Sequence, residues 1–230
     1  MKYYQSQDRQ LIAVDCIIFG FDAGTLKVLL LKRNFEPEKG KWSLAGGFLK
    51  KDESLDECAS RVLHELTGLR NVYLEQLVSY GAIDRDPGER VISVAYFALL
   101  NIQDHNIDIS RDNEVCWCSL TETPELVFDH GDMVDKSLRR LNRKAKIRPL
   151  GFELLPDKFS LPQLQSLYES IYQKELDKRN FRKKILSMDL LDKLQEKDKS
   201  NSKKGAFLYS FNQEKYHQLV SDGFYFNLDV

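Results

Sequence analysis

The stretch that most constrains this chain runs from Gly47 to Leu69, GFLKKDESLDECASRVLHELTGL. Gly46 and Gly47 break the short strand pattern KWSLAGGF, and Lys51 to Asp56 is a charged loop. Leu55, Ala59, Val62, Leu63 and Leu66 then recur at three- and four-residue spacing, which predicts a helix with one apolar face. Gly68 stands where a left-handed cap residue closes a helix. A loop held by glycines and followed by a half-buried helix is the element to which the flanking strand patterns must be fitted.

Those patterns surround it on both sides. Leu11 to Phe21 and Thr25 to Arg33 read as two strands joined by the turn DAGT, with Lys32 and Arg33 at the exit. Phe35 to Lys41 is a Pro- and Gly-containing loop, and Lys41 to Phe48 leads into the helix. Val72 to Ala82, Val91 to Leu100 and Val115 to Leu120 are further strands, the first two separated by the polar turn IDRDPGER. Thr123 with Pro124 predicts the start of a helix that continues amphipathically from Asp129 to Lys144. Residues 1–10 read as an irregular lead-in.

The long helix-forming stretch resembles a Nudix box. Gly47, Glu53, Arg61, Glu65 and Gly68 fall in register with it, as do the apolar Leu63 and Leu69. Two of its carboxylates are missing, because this chain has Val62 and Leu66 where a Nudix enzyme has Glu. Positions 62, 65 and 66 share one helix face. In Nudix hydrolases that face holds magnesium, a hard cation that needs several oxygen ligands. The resemblance therefore implies the Nudix fold over about residues 10–145 and argues against its chemistry, with no catalytic residue, metal or cofactor expected. Glu53 and Glu65 keep an active hydrolase open as the competing class.

Charge divides the chain unevenly. From Arg139 to Lys204 lie 18 of the 34 basic residues but 9 of the 35 acidic ones, in a protein of net charge −1. A segregated basic block suggests a polyanion for one half only; a solvated basic helix face is the plainer explanation. Within it, Ser160 opens SLPQ, a capping box with Gln163, before a helix with Leu164, Leu167, Tyr168, Ile171 and Tyr172 inward. After KEL, Asp177 caps a second helix, KRNFRKKILSMDLL, predicted to bury Phe181, Ile185, Met188 and Leu191. Two capped helices across so short a turn match a helix-turn-helix. Leu194 to Gly205 reads as a charged loop before the strand AFLYSF, the arrangement a winged helix requires. Tyr216 to Val230 reads as an aromatic tail that docks on a surface.

This second half resembles the winged helix of Nudix-related bacterial transcriptional regulators through Phe159, Leu161, Leu164, Gln165, Leu167, Tyr168 and Glu169, Leu176 to Lys184 and Gly205 to Phe211. The pair of resemblances implies an α/β protein: a Nudix-like α/β/α sandwich for effector sensing and dimerisation at 1–148, then a winged helix-turn-helix DNA-binding domain at 149–230. It implies a ligand-controlled regulator, such as a repressor, acting as a homodimer on double-stranded operator DNA. Arg179, Asn180 and Arg182 are placed for base contacts, Lys183, Lys184, Lys203 and Lys204 suit phosphates, and Lys178 completes the DNA-binding set; a solvated wing is the other reading of Lys203 and Lys204. Asn180 has a second reading as a brace of the turn. Regulators of this family answer to ADP-ribose or to sugars. The missing carboxylates place this chain nearer the arabinose-responsive members of Bacteroidetes, so L-arabinose and carbohydrate metabolism are expected, with ADP-ribose and NAD metabolism as the alternative. Asp15, Lys32, Trp42, Tyr80, Asp84, Arg85 and His130 are the candidate effector residues. Trp42 also reads as core, His130 as a helix cap, and Asp84 with Arg85 as a surface turn.

The bulk properties agree with a cytoplasmic protein. No run of about 18 apolar residues suggests a membrane span, and MKYYQSQDRQ does not read as a signal sequence. Cys16, Cys58, Cys116 and Cys118 lack metal-site spacing and read as reduced thiols.

Overall fold

The computed structural model describes residues 2–104, 114–199 and 205–228. Lys203 and Lys204 lie outside the described residues. The chain divides into two compact units: Met1–Phe19, Val28–Ala98 and His105–Ser137 form one, and Gly20–Lys27, Leu99–Asp104 and Leu138–Val230 the other. The second unit thus takes in residues 138–148, ahead of the expected boundary at 149. The reason is that this stretch is held to later residues: Asn142 Nδ2 donates to the Ile171 carbonyl and Leu228 N–H to the Lys146 carbonyl.

A short helical turn, α1 (Lys2–Gln5), occupies the lead-in whose pattern is irregular. One seven-stranded sheet is built from β1 (Leu11–Asp22), β2 (Thr25–Lys32), β3 (Trp42–Ser43), β4 (Ala45–Phe48), β5 (Glu75–Tyr80), β6 (Val91–Asn101) and β7 (Glu114–Ser119). Its order is β3-β2-β1-β6-β5, with β4 paired to β1 and β7 to β2. β1 is buried from Ala13 to Phe21, and β6 is buried along nearly its whole length. Continuous burial means that both sheet faces are covered, which is why these strands read as apolar runs rather than alternations. Cys16 and Cys58 are buried, whereas Cys116 and Cys118 are half-buried on β7.

The predicted box helix is α2 (Leu55–Thr67). Ser54 accepts from the Glu57 N–H and Glu57 accepts from the Ser54 N–H, a capping box within the stretch that reads in sequence as plain charged loop. Gly68 closes the helix at φ 76°, a left-handed conformation that glycine adopts without a Cβ penalty. Thr123 does not start the next helix. It follows a 3-10 turn, Leu120–Glu122, capped by Ser119, and α3 begins at His130 and runs to Ile147.

The winged helix consists of β8 (Phe159–Ser160), α4 (Leu161–Tyr172), α5 (Lys178–Ser187), β9 (Leu191–Asp198) and β10 (Ala206–Phe211). Its sheet order is β8-β10-β9. Both expected N-caps, Ser160 and Asp177, hold their helices. α5 is shorter than predicted. Asp189 takes φ 55° and turns the chain, so Leu190 is fully buried instead of Leu191, which opens β9. Much of the expected loop is therefore ladder, with Tyr209 opposite Lys193 and Phe207 opposite Lys197. The aromatic tail also starts later, because Asn212 caps α6 (Gln213–Ser221). Beyond it Phe226 and Leu228 are buried and Tyr225 is exposed. Among the described residues no helix is long and apolar enough to cross a membrane.

Arg61 ties the box loop to its helix. It donates to both Glu53 carboxylate oxygens at 2.6 and 2.8 Å, to Glu65 at 3.0 Å and to the Phe48 carbonyl at 3.0 Å. Hydrogen bonding from Arg61 lowers the Glu53 pKa from 4.5 to about 2. A depressed carboxylate pKa stabilises the fold above the unfolded value and is lost as pH falls through the folded one. Acid unfolding should therefore steepen between 4.5 and about 2. Glu53→Gln should flatten that part of the stability profile, followed by circular dichroism across the same range; an unchanged profile would contradict the clamp.

Candidate functional site

A cavity of about 460 Å³ opens within the first unit. Its buried polar wall is Asp15 on β1, Arg85 after β5 and His130 at the first turn of α3, all under a tenth exposed. Asp15 on β1 lies opposite Gly46 on β4. A Cβ on Gly46 would sit 2.2 Å from Asp15 Oδ1, so glycine leaves the space that the carboxylate fills. Ser93 donates its hydroxyl hydrogen to Asp15 Oδ2 at 2.5 Å, and Arg85 Nη2 stands 3.7 Å from the same oxygen. Arg85 grips Asp129 through two bonds of 2.6 and 2.8 Å.

His130 is oriented by its surroundings. Its Nδ1 accepts from the Leu44 N–H at 3.1 Å, which leaves the Nε2 proton toward Asp15 Oδ1, 3.4 Å away. Burial lowers the His130 pKa, against the opposing pull of Asp15 and Asp129, so the ring is neutral near pH 7. It is a fixed hydrogen-bonding group rather than a cation.

The rest of the lining adds the cations Lys32 and Arg33 and the rings of Phe35, Phe48 and Phe128, beside the acids Glu36 and Asp86 and apolar residues such as Leu31, Leu44 and Leu66. Lys32 pairs with Glu114 at 3.0 Å. The Arg33 guanidinium lies 4.3 Å from the Phe35 ring centroid and 5.2 Å from that of Phe128, with Phe35 half exposed. This combination offers positive charge and flat apolar faces beside buried donors and acceptors, the make-up of a site for a polar ligand with rings and anionic groups.

Four of the seven expected effector residues thus meet here: Asp15, Lys32, Arg85 and His130. Trp42, Tyr80 and Asp84 are not brought to the cavity. Trp42 is half-buried beside Lys32, its backbone bridged to Leu126. Tyr80 is buried at the end of β5 under Lys136. Asp84 is exposed and does not partner Arg85, whose carboxylates come from Asp129 and Asp15. Sequence reasoning missed Phe35, Phe128 and Asp129, and noted Arg33 without assigning it. The signals were a lone aromatic in a Pro/Gly loop and the acid next to His130 in FDHGD.

The magnesium of a Nudix enzyme does not fit these residues. Val62 is buried against Gly47, whose Cβ would come 2.7 Å from it, and Leu66 turns an apolar side chain to the cavity. The surviving Glu53 and Glu65 are both held by Arg61. Among the described residues no group of three His, Cys, Asp or Glu is gathered as a metal site would require.

In the second unit α5 buries Phe181 and Ile185. Lys178, Arg179, Asn180, Arg182 and Lys183 are exposed along it, and Lys184 is half exposed. The Asn180 backbone N–H, not its side chain, completes the Asp177 cap, so the amide is available to a partner.

Known proteins share both halves. A NUDIX domain model matches residues 9–137, and the model of the NrtR DNA-binding winged helix domain matches residues 151–211. The ADPR responsive transcriptional repressor NtrR of Acinetobacter baylyi is 36% identical over 222 residues, 94% of this chain and 88% of that protein. The crystal structure of Shewanella oneidensis NrtR complexed with a 27mer DNA has a TM-score of 0.77 and 31% identity, covering 95% of this chain and 99% of its own. The NUDIX domain of that protein, complexed with ADP ribose, has a TM-score of 0.53 and 34% identity over 61% of this chain and 97% of its own. None of these is described as responding to a sugar, so the expectation of L-arabinose and carbohydrate metabolism finds no support in them. With a Nudix-like unit followed by a winged helix, and relatives matched along nearly its whole length, the chain belongs to the NrtR family of Nudix-related transcriptional regulators.

Proposed function

We propose that this chain is a transcriptional repressor that binds operator DNA through its winged helix and releases it when its Nudix-like unit binds ADP-ribose. The observation that carries the reading is its 36% identity, over 94% of its length, to a repressor that responds to ADPR. The cavity supports the ligand. Lys32 and Arg33 suit a pyrophosphate, and Phe35 and Phe128 offer faces to a base. Asp15 and His130 supply fixed polar partners for ribose hydroxyls. Magnesium has no part in this binding, because Val62 and Leu66 replace the ligands that would hold it.

The DNA side follows from α5. Arg179, Asn180 and Arg182 lie at the end of a recognition helix that enters the major groove, and Lys178, Lys183 and Lys184 flank them for phosphates. Lys203 and Lys204, on the segment between β9 and β10, extend that phosphate set. Two copies joined through their Nudix-like units would place two winged helices on the half-sites of a palindrome, in the cytoplasm. The competing reading, a Nudix hydrolase with a DNA-binding tail, rests on Glu53 and Glu65. It requires magnesium-dependent turnover of ADP-ribose that Glu65→Gln abolishes.

Three outcomes follow. In thermal unfolding, ADP-ribose without magnesium stabilises the protein by about 2.7 kcal/mol at 100 times its dissociation constant, and L-arabinose does not; the reverse pattern would restore the sugar reading. Arg179→Ala weakens operator binding by about 1–3 kcal/mol and relaxes specificity at one position, whereas Lys183→Ala weakens all duplexes alike. Finally, saturating operator lowers ADP-ribose affinity by the factor by which ADP-ribose lowers operator affinity, as calorimetry in both orders would measure. Independence of the two ligands would sink the regulatory reading.

A further inference from the structure

A second feature of the DNA-binding unit is not explained by the recognition helix. The later part of α3, LRRLNRKAKI, carries five basic residues. Lys144 and Lys146 sit in its last turn, where cations complement the helix dipole. Arg139 and Arg143 lie before that turn, four residues apart on one face, where like charges repel. Both are exposed, and among the described residues neither is paired with a carboxylate.

They border a groove of about 490 Å³ that lies wholly within the second unit. Arg139, Asn142 and Arg143 of α3 line one side; Ile171, Tyr172 and the following Gln173 line the other. Asn142 Nδ2 donates to the Ile171 carbonyl at 3.4 Å and holds the two sides together. Positive charge is added by Lys146 and Lys174, 6.0 and 5.8 Å from the Tyr172 ring centroid. The groove thus joins an apolar base to two guanidinium forks, whose planar donors match the oxygens of a phosphodiester.

Its nearness in the chain to the recognition helix points to nucleic acid as the source of that phosphate. Gln173, the left-handed cap of α4, borders the groove and begins the turn that ends at Asp177, the cap of α5. Four residues span at most about 14 Å. The major groove that a recognition helix enters is about 12 Å wide and walled by phosphates. The edge of the protein groove at Gln173 is thus no more than about 14 Å of chain from the N-terminus of α5. We propose that Arg139 and Arg143 form a DNA-backbone clamp on α3, a contact set separate from the recognition helix and the wing. The clamp rests on the DNA-binding reading above.

The test uses the full-length protein, a random-sequence duplex and an operator that the intact protein selects from a random library. Binding is measured across a salt series. Each phosphate contact contributes about 0.9 to the slope of log affinity against log salt. Arg139→Gln with Arg143→Gln should reduce that slope by about 2. It should weaken operator and random duplex by the same factor and leave the ADP-ribose thermal shift unchanged. Arg139→Lys with Arg143→Lys should keep most of the slope, which separates lost charge from lost folding. An unchanged slope in the Gln pair, with the intact protein binding normally, overturns the clamp. So does a loss confined to the operator, which would mean base reading. Loss of inorganic pyrophosphate binding in the Gln pair with unaltered DNA binding would make the groove a small-anion site instead. If the intact protein selects no duplex, the DNA-binding reading itself fails, a result distinguishable from failure of the clamp alone.

Discussion

The buried carboxylate of Asp15 is the constraint around which the first unit is arranged. An ionised acid in a sheet interior is costly unless it is paired and hydrogen-bonded. Here the balance comes from Arg85, Ser93 and His130, contributed by three different parts of the chain. Gly46 must lack a side chain for the carboxylate to fit, and Arg85 needs Asp129 to neutralise its remaining charge. Removing any one member would leave a buried charge or donor unanswered, so the cluster fixes the cavity wall more firmly than its apolar neighbours do. Its geometry also decides that His130 presents an N–H and not a positive charge.

The box helix shows which part of a Nudix motif is architectural. Arg61, Glu53, Gly47 and Gly68 are kept, and each holds the structure in its own way. Arg61 is the clamp and Glu53 its acceptor, Gly47 allows the close approach to Val62, and Gly68 forms the left-handed cap. The positions that would bind magnesium have turned apolar. Val62 is buried and Leu66 faces the cavity. Apolar side chains there contribute packing where free carboxylates would repel one another, and Leu66 adds an apolar patch to the cavity wall.

Legibility in the sequence followed the strength of local rules. β1, β6, α2 and the Ser160 and Asp177 caps were readable because continuous burial, helical spacing and capping chemistry are written in neighbouring residues. β9 was not, since LDKLQEKD alternates charges on two solvated faces and only its pairing with β10 makes it a strand. The end of α5 depended on a single left-handed residue, Asp189, that no periodicity announces. At the cavity the sequence offered the right residue types but not their meeting: Arg85 and Asp129 are 44 positions apart. Trp42 and Tyr80 looked equally suited to a ligand, and only the three-dimensional structure turns them elsewhere.

α3 is the element that the two units share. Its first residue, His130, helps form the cavity wall, and beyond Ser137 it belongs to the unit that carries the winged helix. A ligand shifts an equilibrium only by its differential affinity for the two states, and each tenfold change requires about 1.4 kcal/mol. That is on the order of one charge-assisted hydrogen bond made in one state and lost in the other. The hydrogen-bond sets of His130 and Arg85 are discrete, so a ligand that competes for Asp15 or Asp129 would exchange one complete set for another rather than deform it gradually. If the later residues of α3 bear on DNA as proposed, a helix whose N-terminus is fixed by such a set would respond in two states, which is the requirement for an operator to be released rather than merely loosened.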